Sequence, residues 1–237
     1  MLIVSTLVFI RKLMLLIQLK KTNNQVTLIK ILNTRETRLN ATTLGFQFLA
    51  DYHLKSFLEK SKNLNVLEFG SAGEGFLSTI FFDWHAQRTP KGSVVSIDVS
   101  RKPRREYRLL TKKTLFVVDD ALNYIKHLGE PRFDVIYFDS MSIHFENPWP
   151  SMLHHFELFL DSFRLLKEDG ILVFDDTPSS LDYALSDLDR ELMNKFQEIN
   201  GFLPGKGALV LRELNKHSLK KAFHEYALVL KRADLPG

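Results

Sequence analysis

The chain of 237 residues contains no cysteine. Disulfides, thiolate metal sites and cysteine nucleophiles are therefore excluded, and a reducing compartment fits. A continuous membrane-spanning run is also missing. Met1 to Leu19 is strongly apolar, but Arg11 and Lys12 divide it, and a spanning helix wants roughly 20 predominantly apolar residues. The two signs of a secretory signal, charge ahead of the apolar core and small residues at a cleavage site, are lacking. No repeat, low-complexity tract or Pro/Gly-rich linker interrupts residues 60–237, so no domain boundary is placed there. The dinucleotide fingerprint G-x-G-x-x-G is absent, since Ala72 stands two residues after Gly70. Pro204-Gly205-Lys206-Gly207 lacks the Walker spacing and a following Ser/Thr, and is read as a turn.

What is present starts with charge. The formal net charge is +4, unevenly spread: residues 1–60 carry nine Lys/Arg against three Asp/Glu. For the apolar, basic leader three readings fit: a buried or dimer-forming helix, peripheral membrane contact through residues 1–21, or sequence upstream of a true start at Met14. The expected location is cytoplasmic, with membrane association if the second holds. Residues 22–42 are polar and read as a connecting arm. A helix is expected from about Thr43 to Lys60.

Five short apolar runs then each end in a carboxylate: VLEFGSAGEG (66–75), SVVSID (93–98), LFVVDD (115–120), FDVIYFD (133–139) and ILVFDD (171–176). Helical patterns separate them, the longest over roughly Pro150–Leu166, followed by a turn at Glu168-Asp169-Gly170 that leads into the fifth run. Alternating strands and helices imply an α/β fold with a mostly parallel sheet. Two further strands are expected at Ala208–Leu211 and Tyr226–Leu230, making seven. In such sheets ligands lie at the carboxyl ends of the strands, which is where this chain has put its acids. The glycines after the first run suit a tight turn and close approach to a ligand. Glu74 would repel a pyrophosphate, which argues for a ligand without phosphates there. Asp98 can accept both ribose hydroxyls. Asp120 suits either an adenine edge or a helix cap.

The pieces Val66-Leu67-Glu68-Phe69-Gly70, Ser96-Ile97-Asp98, Asp119-Asp120-Ala121, Phe133 to Asp139 and Leu165 to Asp176 together resemble a class I S-adenosylmethionine-dependent methyltransferase, in that family's order and spacing. The resemblance runs from Asn65 to about Leu230. It implies a Rossmann-like seven-stranded sheet with helices on both faces and the last strand antiparallel, preceded by an N-terminal helical arm. The corresponding division is a leader and arm at 1–42 and a methyltransferase domain at 43–237. It further implies cofactor contacts from Glu68, Gly70, Ser71, Gly73 and Asp98, with Asp120 near adenine.

Asp139, Asp175 and Asp176 close the fourth and fifth strands, whose ends lie about 5 Å apart. This set resembles the metal-dependent O-methyltransferases of the catechol and macrolide-sugar type, and implies Mg²⁺ held by all three acids. Such a metal would bind two vicinal hydroxyls of a small sugar-like or diol substrate and lower the pKa of one. Asp-Asp-Thr-Pro at 175–178 is equally compatible with a capped turn. With Asp139, His144 is the catalytic candidate, five residues further on and able to take a proton near neutral pH. His154 and His155 are read as structural. The basic stretch Arg101 to Arg108 has only Tyr107 for stacking, which speaks against nucleic acid. The alternatives are an aminopropyltransferase of the spermidine-synthase type, an RNA methyltransferase, and a non-catalytic cofactor-binding module.

Overall fold

The computed structural model describes residues 14, 18, 21, 22, 28, 29, 41–55, 62–71, 77–215 and 221–235. Seven strands form one sheet: β1 (Asn65–Phe69), β2 (Ser93–Asp98), β3 (Thr114–Val118), β4 (Phe133–Phe138), β5 (Leu166–Phe174), β6 (Phe223–His224) and β7 (Leu228–Lys231). Their order is β3-β2-β1-β4-β5-β7-β6. β1 to β5 pair in parallel, and β7 runs antiparallel to both of its neighbours. The expected α/β class, the seven strands and the reversed last strand all hold. The order changes direction between β1 and β4, and ligands bind at such switch points.

The helices are α1 (Ala41–Phe48, continued by a π-helical turn over Leu49–Leu54), α2 (Ser78–Ala86), α3 (Lys102–Tyr107), α4 (Ala121–Ile125), α5 (Trp149–Ser162), α6 (Asp187–Asn200) and α7 (Ala208–Asn215). Alternation along the strands divides the core in two. Val66, Val94, Val135, Tyr137, Ile171 and Val173 face Phe46 and Leu49 of α1 and Phe81 and Phe82 of α2. Leu67, Phe69, Ile136, Phe138, Leu172 and Phe174 face α4, α5 and α7. Strands buried on both faces read as unbroken apolar runs, as β1, β4 and the second half of β5 do; β3, at the sheet edge, is only partly buried yet equally apolar.

Three expectations need correction. Ala208–Leu211 is not a strand but the start of α7, with Ala208, Val210 and Leu214 buried; β6 lies further on. The expected polar arm contributes Leu28 and Ile29, both helical and both buried in the first core. The turn expected at Glu168–Gly170 lies within β5, as an irregularity of register opposite Phe133 and Val135. α6 is capped at its start by Ser186, whose hydroxyl accepts from Asp189 N at 3.0 Å, and at its end by Gly201 with φ +79°. Residues 1–13 lie outside those described.

Candidate active site

The carboxyl ends of β1 to β4 enclose a cavity of about 320 Å³. Gly70, Ile97, Asp98, Asp119, Asp120, Ser140 and His154 are among its walls. Gly70 has φ +85°, and a Cβ placed on it would meet the Asp139 carbonyl oxygen at 2.2 Å. Only glycine allows β1 to turn so close to the end of β4. The Asp98 carboxylate is aimed by two backbone N–H groups, from Ser71 at 3.1 Å and Ser100 at 2.7 Å. Asp120 caps α4 by accepting from Asn123 N at 3.0 Å and also lines the cavity. The helix-cap reading holds, and the cavity position leaves the carboxylate facing the space where a ligand would lie.

Glu68 is placed differently from the expectation. Its side chain is fully buried and accepts hydroxyls from Ser78 (2.6 Å), Thr79 (2.6 Å) and Ser96 (2.5 Å). Burial raises its pKa to about 7 against those hydrogen bonds. It ties β1 to the start of α2 and β2, beneath the cavity rather than on its wall. Ser71 is also buried, its hydroxyl paired with Ser96 Oγ at 2.7 Å; its N–H serves Asp98. Gly73 lies outside the described residues.

His144 sits exposed on the loop after β4 and is not among the cavity walls. His154 is. One turn into α5, its Nε2 is 2.8 Å from Ser140 Oγ. Burial lowers its pKa, against the charges of Asp120 and Glu157, so the ring is neutral near pH 7. His155 is buried, with Nδ1 2.7 Å from the Ser151 carbonyl oxygen.

The three acids at the ends of β4 and β5 converge, and sequence reasoning missed what meets them. Lys206, 2% exposed, places its ammonium on Asp139 Oδ1 and, at 2.8 Å, on Asp176 Oδ2. Tyr137 donates to Asp175 Oδ2 at 2.7 Å, and Tyr226 donates to Asp176 Oδ1. Burial opposes the charge on Lys206, but Asp139, Asp176 and Asp175 outweigh it and hold the lysine protonated. For Asp139, burial and the neighbouring acids push the pKa up against the pull of Lys206. Among the described residues no group of three or more His, Asp or Glu is arranged to hold a metal ion. Each expected metal ligand already has a protein donor, and a cation occupies the space between two of them. The donor set does not fit a resident Mg²⁺.

Residues 42–231 match a family described as a methyltransferase domain. The chain belongs to it: this is an S-adenosylmethionine-dependent methyltransferase. It is 30% identical over 159 residues to a tRNA (guanine-N(7)-)-methyltransferase of Mycoplasmoides gallisepticum, covering 62% of this chain and 68% of that protein. Its fold is similar to that of MycE methyltransferase from the mycinamycin biosynthetic pathway, solved with Mg, SAH and mycinamycin VI. The TM-score is 0.51 and the identity 16%, over 80% of this methyltransferase and 51% of the MycE chain. This methyltransferase therefore spans about half of MycE's length. An O-methyltransferase family protein from Burkholderia thailandensis gives TM-score 0.50 and 12% identity, covering 88% of this chain and 60% of that one. The cavity fits the family's cofactor: a glycine turn without a Cβ, an oriented acid after β2 and a second acid after β3.

Proposed function

We propose that this methyltransferase methylates a hydroxyl oxygen of a small hydroxylated molecule, with Asp139 as the group that receives the hydroxyl proton. The observation carrying this reading is the position of Asp139. It ends β4 beside Gly70, at the switch point, with Oδ1 held by Lys206 and its side chain still 29% exposed. Asp98 would accept the ribose hydroxyls, Asp120 would lie toward the base, and the Gly70 turn would admit the rest of the cofactor. When bound, S-adenosylmethionine supplies an electrophilic methyl on a sulfonium. A hydroxyl, unlike a neutral amine or a purine ring nitrogen, is a poor nucleophile until a base draws off its proton. An oriented carboxylate next in the chain to Ser140 of the cavity wall therefore favours an oxygen acceptor. Orientation by the same carboxylate would supply much of the rate. MycE, solved in complex with mycinamycin VI, and the Burkholderia protein, described as of an O-methyltransferase family, are consistent with this.

A second reading rests on the tRNA methyltransferase relative together with α3, where Lys102, Arg104 and Arg105 are exposed a few residues beyond Asp98. That basic helix could track a phosphate backbone. Methyl transfer from labelled cofactor to a panel of hydroxylated small molecules and to tRNA transcripts separates the two. Ether products, lost in Asp139→Asn with S-adenosylhomocysteine affinity retained, support the first reading. Methylation of tRNA alone, weakening steeply with salt, replaces it with the second.

A further inference from the structure

We infer that Lys206 supplies, from within the chain, the positive charge that a divalent ion would otherwise bring to the acids at the ends of β4 and β5. The protein then methylates without a resident metal. The inference rests on the geometry around Asp139, Asp175 and Asp176 and stands whatever acceptor is methylated.

The site is built to hold a lysine. Lys206 lies between two glycines that must pass close to β5. A Cβ on Gly205 would meet Thr177 Cα at 2.9 Å and the Asp176 carbonyl oxygen at 3.0 Å. A Cβ on Gly207 would meet Phe174 Cβ at 2.9 Å. Their lack of side chains lets the 205–207 segment lie against the end of β5 and turn the lysine inward. The segment is then fastened. Lys206 N donates to the Asp176 carbonyl at 3.1 Å, and Gly207 N donates to Thr177 Oγ1 at 2.9 Å. Thr177 Oγ1 donates in turn to the Asp175 carbonyl at 2.9 Å. Asp176 itself has φ +40°, alone among the described non-glycine residues in being positive. Such a conformation persists only where its surroundings over-determine it. Here Lys206 grips it twice, by backbone and by side chain.

A buried lysine needs partners for its charge, and clustered carboxylates need a counter-charge. Each solves the other's problem. A Mg²⁺ ion demands near-octahedral oxygens at about 2.0–2.1 Å and keeps several waters. It would have to share Asp139 and Asp176 with an ammonium already bonded to both, and the two cations repel. Lys206 is therefore a positioning residue. It holds Oδ1 of Asp139 and so sets the direction of the other oxygen. One consequence touches the substrate. Chelation by a metal is what makes two adjacent hydroxyls necessary; with a fixed ammonium instead, a single hydroxyl suffices.

The test is titration of Mn²⁺ into the purified full chain, followed by water-proton relaxation and by melting temperature. S-adenosylhomocysteine binding is measured in parallel in EDTA and in Mg²⁺. Wild type is expected to bind no Mn²⁺ at these acids and to bind S-adenosylhomocysteine equally in both buffers. Lys206→Met is expected to melt lower and to gain a Mn²⁺ site that restores the melting temperature. That gain should vanish in Lys206→Met with Asp176→Asn. Micromolar Mn²⁺ binding by wild type, lost in Asp139→Asn or Asp176→Asn, overturns the inference. So does a folded Lys206→Met variant that gains no Mn²⁺ site. If Lys206→Met does not fold, the wild-type titration decides by itself. Failure to bind S-adenosylhomocysteine in either buffer would count against the cofactor and leave the Mn²⁺ result standing.

Discussion

Replacing Gly70 by alanine is the sharpest local perturbation of this site. The new Cβ would lie 2.2 Å from the Asp139 carbonyl oxygen, 2.6 Å from its carbon and 2.7 Å from Ser140 Cα. All three are backbone atoms, so no side chain can swing aside. The backbone at φ +85° costs an alanine about 1–2 kcal/mol. Forcing the ends of β1 and β4 apart adds about 1–3 kcal/mol by analogy with overpacked cores. The sum is about 2–5 kcal/mol. At about 2–4 °C per kcal/mol for a chain of this size, the melting temperature should fall by about 4–20 °C. Because Asp139 and Ser140 move with the clash, cofactor affinity should fall too, in step with a displacement of about 1 Å. Thermal melts and calorimetric titration of S-adenosylhomocysteine measure both. Gly129→Ala is the control: a Cβ there meets nothing within 4 Å. If Gly70→Ala melted and bound like wild type, the close approach of β1 to β4 would be wrong, and with it the placement of the cavity.

Asp98→Ala should weaken S-adenosylhomocysteine by about 1.5–3 kcal/mol, about ten- to a hundred-fold by calorimetry, since it removes a charged acceptor and frees the Ser71 and Ser100 amides. Glu68 has its pKa raised from 4.5 to about 7, so between those values the folded state binds the extra proton and stability falls as pH rises. Glu68→Gln should flatten that slope, worth about 3 kcal/mol across the window, in denaturant unfolding at pH 4.5 and 7.5; an unchanged slope would assign the pH dependence elsewhere. His154→Ala, which removes the partner of Ser140 on the cavity wall, should weaken S-adenosylhomocysteine by about 1 kcal/mol, whereas His144→Ala should leave its affinity within about twofold. Equal effects of the two would refute the placement of the histidines.

The sequence by itself determined the parallel strands and the acids at their ends. These depend on short-range patterns. A strand buried on both faces must be apolar along its length, a tight turn beside a ligand needs glycine, and an aspartate after a strand caps the next helix locally, as Asp120 does. The four residues Ala208–Leu211 carry no such information, because a short apolar run fits helix and strand alike; packing into the second core beside α5 decided for α7. Leu28 and Ile29 look like part of a polar arm until the first core closes over them. Tertiary structure alone also withdrew Glu68 beneath the cavity, where three hydroxyls from α2 and β2 surround it, and chose His154 over His144 by the direction in which α5 leaves the β4 loop. Above all, it brought Lys206 to Asp139, 67 residues away. The charge balance of three acids is a property of what surrounds them in space, and a turn such as Pro-Gly-Lys-Gly shows its lysine's partner only when the chain has folded around it.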